Sequence, residues 1–284
     1  MSNIVDKMIM VKLNCSYDTG YRQCDQTKSI VQEKTECDGS MIKTGVTLFN
    51  KWKISPFTRA LSELRTYYQE HTLPWDTKSW RVIPASAFQD FKNELEIRIS
   101  ECKDKYKEVF VDGYDELKDS YDEAKGELEQ NFPSVEDLED RLVIEYDMGA
   151  AASTNDIRIQ GIDQEARREL RESMEKQYDG KIKEGLHNIA DRLTVAVREI
   201  GSRTSDEDQK GKKYKRSLEN LEALAITVDQ LNITGDQRIK EACATIREDI
   251  CKWSPEAIKT TDMVRESVTE VAGSIEEKLS HINI

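Results

Sequence analysis

From Phe88 to Leu128 the chain keeps one helical stripe. Phe88, Phe91, Leu95, Ile99, Cys102, Tyr106, Val109, Gly113, Leu117, Tyr121, Ala124 and Leu128 recur at a mean spacing of about 3.6 residues. A second stripe runs through Leu170, Met174, Tyr178, Ile182, Leu186, Ile189, Leu193, Val197 and Ile200. At 1.5 Å per residue the first predicted helix is roughly 65 Å long, and the second, opened by Asp163 and stopping near Gly201, is about 57 Å. Neither stripe is stable in water, so the simplest fold brings the two helices together as an antiparallel coiled-coil arm.

Composition agrees with long helices. Of 284 residues, 37% are hydrophobic and 34% charged, mean hydropathy is -0.70, and Pro (5) and Gly (13) are scarce. Ile9, Val11, Leu13 and Cys15 alternate with polar or flexible neighbours, predicting a strand, and "VIEYDM" (143–148) and "DIRIQGI" (156–162) predict two more. Together they would form a small antiparallel sheet. Residues 16–44 read as irregular, Ser55-Pro56 opens a helix to about Glu70, and 71–84 is a connector. Ser134 caps a short helix through about Leu142, and 201–215 is a polar link. Helices follow near 213–231, from Asp236 to Lys252, and after Ser254-Pro255-Glu256. The expected fold is mainly α, an α+β protein with a long antiparallel coiled-coil arm, a small antiparallel β-sheet and a C-terminal helical bundle. Its segments are 1–84 (strand, irregular segment and helix), 85–201 (arm with a central hairpin) and 202–284 (bundle).

Chemistry leaves little trace. His71, His187 and His281 are scattered, and the sequence has no Gly-rich phosphate loop, HExxH or GxSxG element, so no catalytic residues and no cofactor are expected. Cys15, Cys24 and Cys37 lie 9 and 13 residues apart without a nearby histidine. Asp18 or Asp25 would have to complete a metal site there, and free thiols are the expectation, with Cys243 and Cys251 in a core. The first residues form no apolar signal or membrane segment, which points to a reducing cytoplasm.

Charge divides the chain. Residues 1–90 hold 12 Lys/Arg against 10 Asp/Glu, and the remainder 30 against 45, so +2 is followed by -15 within a total of -13. Between 51 and 81, Lys51, Trp52, Lys53, Arg59, Trp75, Lys78, Trp80 and Arg81 interleave aromatic and basic groups, as a single-strand nucleic-acid binder does. The alternative is a local core in which the rings are buried and the charges rim them. Residues 112–147 carry 14 acids against three basic residues. Asp112, Asp115, Glu116, Asp119, Asp122, Glu123 and Glu127 form the acidic face of the first long helix, either a solvated face or an imitation of duplex phosphates.

"VKLNCSYDTG" (11–20), "SWRVIPASAFQDF" (79–91), "NFPSVEDLEDRLVIEYDM" (131–148), "DIRIQGI" and "LNITGDQRI" (231–239) together resemble an uncharacterised protein family of tailed bacteriophages. The resemblance implies a phage origin and, in some members, a gene beside a MoxR-like AAA+ ATPase. It supplies no catalytic residue. It also suggests that "WRVIPASAF" launches the first long helix, with Ser86 and Gln89 as a capping box, Phe88 starting the stripe and Trp80 packed nearby. The function expected is that of a non-catalytic phage protein in the host cytoplasm, a homo-oligomer that binds another protein, either an AAA+ ATPase or a host defence factor. Single-stranded nucleic-acid binding and DNA mimicry are the alternatives.

Overall fold

The computed structural model describes residues 2–76, 79–128, 130–151, 161, 163–205 and 214–282. In chain order its elements are α1 (Ser2–Val5), β1 (Met8–Ser16), β2 (Tyr21–Gln23), α2 (Asp25–Thr35), β3 (Gly45–Thr47), α3 (Ser55–Glu70), β4 (Leu73–Pro74) and β5 (Arg81–Pro84). Then come α4 (Ala85–Tyr106), a π-helical turn (Lys107–Asp112), α5 (Tyr114–Ala124), α6 (Val135–Asp140) and β6 (Val143–Ala150). The chain continues with α7 (Gln164–Ser205), α8 (Lys215–Leu231), α9 (Gln237–Thr245), a second π turn (Ile246–Ile250), α10 (Pro255–Thr260) and α11 (Asp262–Ser280). It is a mainly helical α+β protein with small antiparallel sheets. It divides into two compact units, each built from separated stretches of sequence: Met1–Lys12 with Gln69–Phe91 and Met148–Ile284, and Leu13–Tyr68 with Lys92–Asp147.

In the first unit the 42-residue α7 takes α11 as its main partner, instead of the helix predicted from the Phe88–Leu128 stripe. Arg198 pairs with Glu276 at 3.0 Å, a Cβ on Gly201 would lie 3.1 Å from that of Ala272, and the Thr204 and Thr269 hydroxyls are 2.7 Å apart. Numbers rise on one helix as they fall on the other, so the pair is antiparallel. Ile189, Leu193, Val197, Ile200 and Thr204 face Val264, Val268, Ala272, Ile275 and Leu279, both buried with the same 4-4-3-4 spacing. Gly201 was the expected stop, yet α7 continues to Ser205, because a residue without a side chain fits the close approach to Ala272. In the last helical region Ser254 Oγ accepts from the Ala257 amide and Pro255 takes the first helical position, as the sequence signals.

The main sheet has the order β4-β5-β1-β6. β1 pairs antiparallel with β5 from Met8↔Pro84 to Val11↔Arg81, and β4 pairs with β5 at Leu73↔Val82. β1 and β6 were expected, whereas β4 and β5 come from the supposed connector; "DIRIQGI" falls, Gly161 apart, outside the described residues. β1 also lacks a clean two-residue alternation: Met8 and Val11 are its buried residues, and all the others except Ser16 are partly covered.

The second unit is centred on rings. Phe57 lies edge-on to Tyr106 (5.1 Å between centroids) and Phe110 (5.7 Å), and Phe49 lies edge-on to Phe110 (5.2 Å) and Phe132 (5.6 Å). The stripe that suggested one straight helix is divided here. The π turn turns the adjacent Val109 and Phe110 both inward, Gly113 leaves helical geometry (φ -92°, ψ 12°), and α5 ends at Ala124. Further differences are local. α2 occupies part of the stretch read as irregular, and none of its residues is buried, so it has no stripe to betray it. α4 begins at Ala85, which places Ser86 inside the first turn rather than at the cap. Ser134 behaves as expected: its hydroxyl accepts from the Asp137 amide while Asp137 accepts from the Ser134 amide.

Candidate functional site

The aromatic and basic residues of 51–81 are divided between the two units. Lys51, Trp52 and Lys53 occupy the turn before α3, and Arg59 is exposed on α3 itself. Trp52 is 86% exposed. Its backbone is nevertheless fixed: the Trp52 amide donates to Asn50 Oδ1 at 3.0 Å, Ser55 Oγ donates to the Trp52 carbonyl at 2.8 Å, and the Ile54 amide donates to the Asn50 carbonyl at 3.2 Å. Two contacts tie the turn to α5. Lys53 Nζ meets Glu116 at 2.7 Å, which holds that carboxyl below its ordinary range, and Asn50 Nδ2 donates to Ser120 Oγ at 3.3 Å.

Trp75, Trp80 and Arg81 belong to the other unit and are occupied. Trp75 is only 6% exposed; its ring lies 5.3 Å from that of Tyr178, with Lys181 Nζ 4.8 Å from its centre. Trp80 is partly covered and closes the β4–β5 hairpin, its carbonyl accepting from the Trp75 amide. Arg81 Nε donates to Thr72 Oγ1 at 2.6 Å and its Nη2 to the carbonyls of Gln69 and Thr72. Lys78 lies outside the described residues. Here the core reading describes Trp75, and Trp52 departs from it.

The acidic residues do not share one helix: Asp112 closes the π turn, Asp115, Glu116, Asp119, Asp122 and Glu123 lie on α5, and Glu127 follows its end. Asp112, Asp115, Glu116, Asp119, Asp122, Glu123 and Glu127 are all exposed, while Leu117 and Tyr121 turn α5 inward. Asp122 pairs with Lys125 at 2.6 Å. The structure thus brings the Trp52 turn alongside the acidic helix, a neighbourhood created by folding between segments more than 60 residues apart.

A buried carboxylate escaped sequence reasoning as anything but a spare metal ligand. Asp18 is buried, bound by Arg22 (2.6 Å) and Arg141 (2.7 Å), and accepts from the Gly20 amide at 2.8 Å. The hydrogen bond from Arg22 is the main cause of its lowered pKa. Arg22 lies four residues away and is a local signal; Arg141 is 123 residues away and is not. Among the described residues, no group of three or more His, Cys, Asp or Glu is placed to hold a metal ion. All six cysteines are unpaired; Cys37 is exposed, and Cys24 Sγ caps α2 by accepting from Thr27. No helix among the described residues is long and apolar enough to cross a membrane. Comparison with protein-family models, curated proteins and solved structures finds no match.

Proposed function

We propose that the protein is a non-catalytic binding protein whose partner is another protein, engaged through the turn that carries Trp52. The observation behind this reading is the pairing of extreme exposure with a fixed backbone at Trp52. A large ring held out in water leaves apolar area uncovered, and its preset backbone lowers the ordering cost of covering it; tryptophan is also enriched among binding hot spots. The resemblance to tailed-phage proteins offers an AAA+ ATPase or a host defence factor as partners, met in the host cytoplasm.

Two features weigh against single-stranded nucleic acid. The rings that would stack on bases are divided, with Trp75 buried against Tyr178. The turn that carries the exposed ring is tied to a helix whose acids repel phosphates, and Lys53 is already paired with Glu116. The test is a photo-crosslinking amino acid at position 52, with position 263 on the exposed Met263 of α11 as a control. A protein adduct specific to position 52 is expected; a nucleic-acid adduct there, or the same adducts from both positions, overturns the reading.

A further inference from the structure

We infer that the Trp52 turn and the neighbouring face of α5 form a docking surface for a basic amphipathic helix of a partner protein; this rests on the protein-binding reading above. Trp52 is the apolar anchor, and α5 selects the charge. Along α5, Asp115, Glu116, Asp119, Asp122 and Glu123 follow spacings of three and four residues, so their exposed carboxylates form a ladder on one side while Leu117 and Tyr121 hold the other side in the core. A helix carrying Lys or Arg at the same spacings matches that ladder, and an apolar side chain of the same helix can cover the indole.

Charge bookkeeping chooses between occupants. Seven acids between 112 and 127 stand against Lys118 and Lys125 in the same stretch and Lys51 and Lys53 on the turn, seven against four, a local net of -3. Apposing the same surfaces of two copies would bring -6 together, which disfavours a second copy of this chain as the occupant. An anionic partner meets the same repulsion. A cationic segment gains Coulomb attraction in proportion to its charge, and the attraction weakens as salt screens it.

The experiment titrates the full chain by calorimetry with a synthetic Leu/Lys amphipathic helical peptide, and with a Leu/Glu peptide of the same pattern. The Leu/Lys peptide is expected to bind, and Trp52→Ala to weaken it at least about tenfold while melting normally. Asp115→Asn/Asp119→Asn/Asp122→Asn is expected to weaken it comparably. Glu266→Gln/Glu270→Gln/Glu277→Gln on α11 removes as many exposed charges elsewhere and should change affinity less than about twofold. The proposal is overturned if the Leu/Lys peptide does not bind, if the α11 triple variant weakens it as much as the α5 triple variant, if Trp52→Ala has no effect, or if the Leu/Glu peptide binds equally well. Any of these results beside a protein adduct at position 52 removes the cationic partner and leaves the protein-binding reading standing; a nucleic-acid adduct there removes both.

Discussion

Arg81 of β5 and Arg192 of α7 donate to the same two backbone carbonyls, those of Gln69 and Thr72. Arg192 also reaches the Glu70 carbonyl at 2.7 Å, so two guanidiniums satisfy carbonyls left without helical partners where α3 ends. Burial lowers the Arg192 pKa, and the charge is retained because arginine starts so high. Arg192→Met should therefore cost about 2–3 kcal/mol in denaturant unfolding, and Arg192→Lys nearly as much, since one ammonium cannot reproduce a planar fork. A loss below about 0.5 kcal/mol would show that water replaces the guanidinium at these carbonyls.

Three glycines in long helices should respond differently to alanine. A Cβ at Gly180 of α7 or Gly273 of α11 meets nothing within 4 Å, so both substitutions should raise stability by about 0.5–1 kcal/mol through helix propensity. At Gly201 the new Cβ would lie 3.1 Å from Ala272 Cβ, and overpacking should outweigh the same gain, for a net loss of about 1 kcal/mol. Urea midpoints of the three variants check the order, and a stabilising Gly201→Ala would contradict the close crossing.

Asp18 ties stability to pH. Its carboxyl is held below the ordinary value of 3.8, chiefly by the hydrogen bond from Arg22, with the Gly20 amide and Arg141 contributing. A group whose folded pKa is depressed binds its proton more readily in the unfolded chain, so its stabilisation is complete above pH 3.8 and lost as pH falls through the folded value. Asp18→Asn should cost about 2 kcal/mol at pH 7, less than a fully buried pair because Arg22 and Arg141 reach solvent, and clearly less at about pH 3, below the unfolded value. Denaturation curves at the two pH values test this; an equal loss at both would assign the effect to packing.

Thiol chemistry should separate the cysteines. Burial pushes Cys102 and Cys243 up to about 12, leaving almost no thiolate near neutrality, whereas Cys37 is exposed. A maleimide at pH 7.5 should label Cys37 first, with Cys102 and Cys243 labelled only after unfolding, as read by peptide mass spectrometry. Early labelling of Cys243 would mean that α9 opens in the native state.

Elements carried by local signals were legible in the sequence. Ser134 and Asp137 spell their own cap, Ser55 marks the start of α3, and Val143–Ala150 alternates enough to be read as a strand. Partnership was not. A stripe says that a helix must be covered, not by what: the spacing of Ile189, Leu193, Val197 and Ile200 suits the 88–128 stripe as well as the Val264–Leu279 face that covers it. The same limit applied to the candidate site. Trp52 and Trp75 look alike as residues among lysines and arginines, and only the fold buries one and exposes the other. The Lys53–Glu116 and Asp18–Arg141 pairs join segments that no short motif connects.

The antiparallel pairing of α7 with α11 has a consequence during synthesis. Thr204 meets a residue made 65 positions later, and Arg198 one made 78 positions later. At roughly 5–20 residues per second, α7 leaves the ribosome several seconds before the helix that covers it. Until then Leu193, Val197 and Ile200 are open to other nascent chains, and a ribosome stalled within 262–280 would release a product whose longest helix has lost its main partner. The growing chain therefore spends a defined interval in need of shielding, and that interval is set by the position of α11 rather than by the intrinsic helicity of α7.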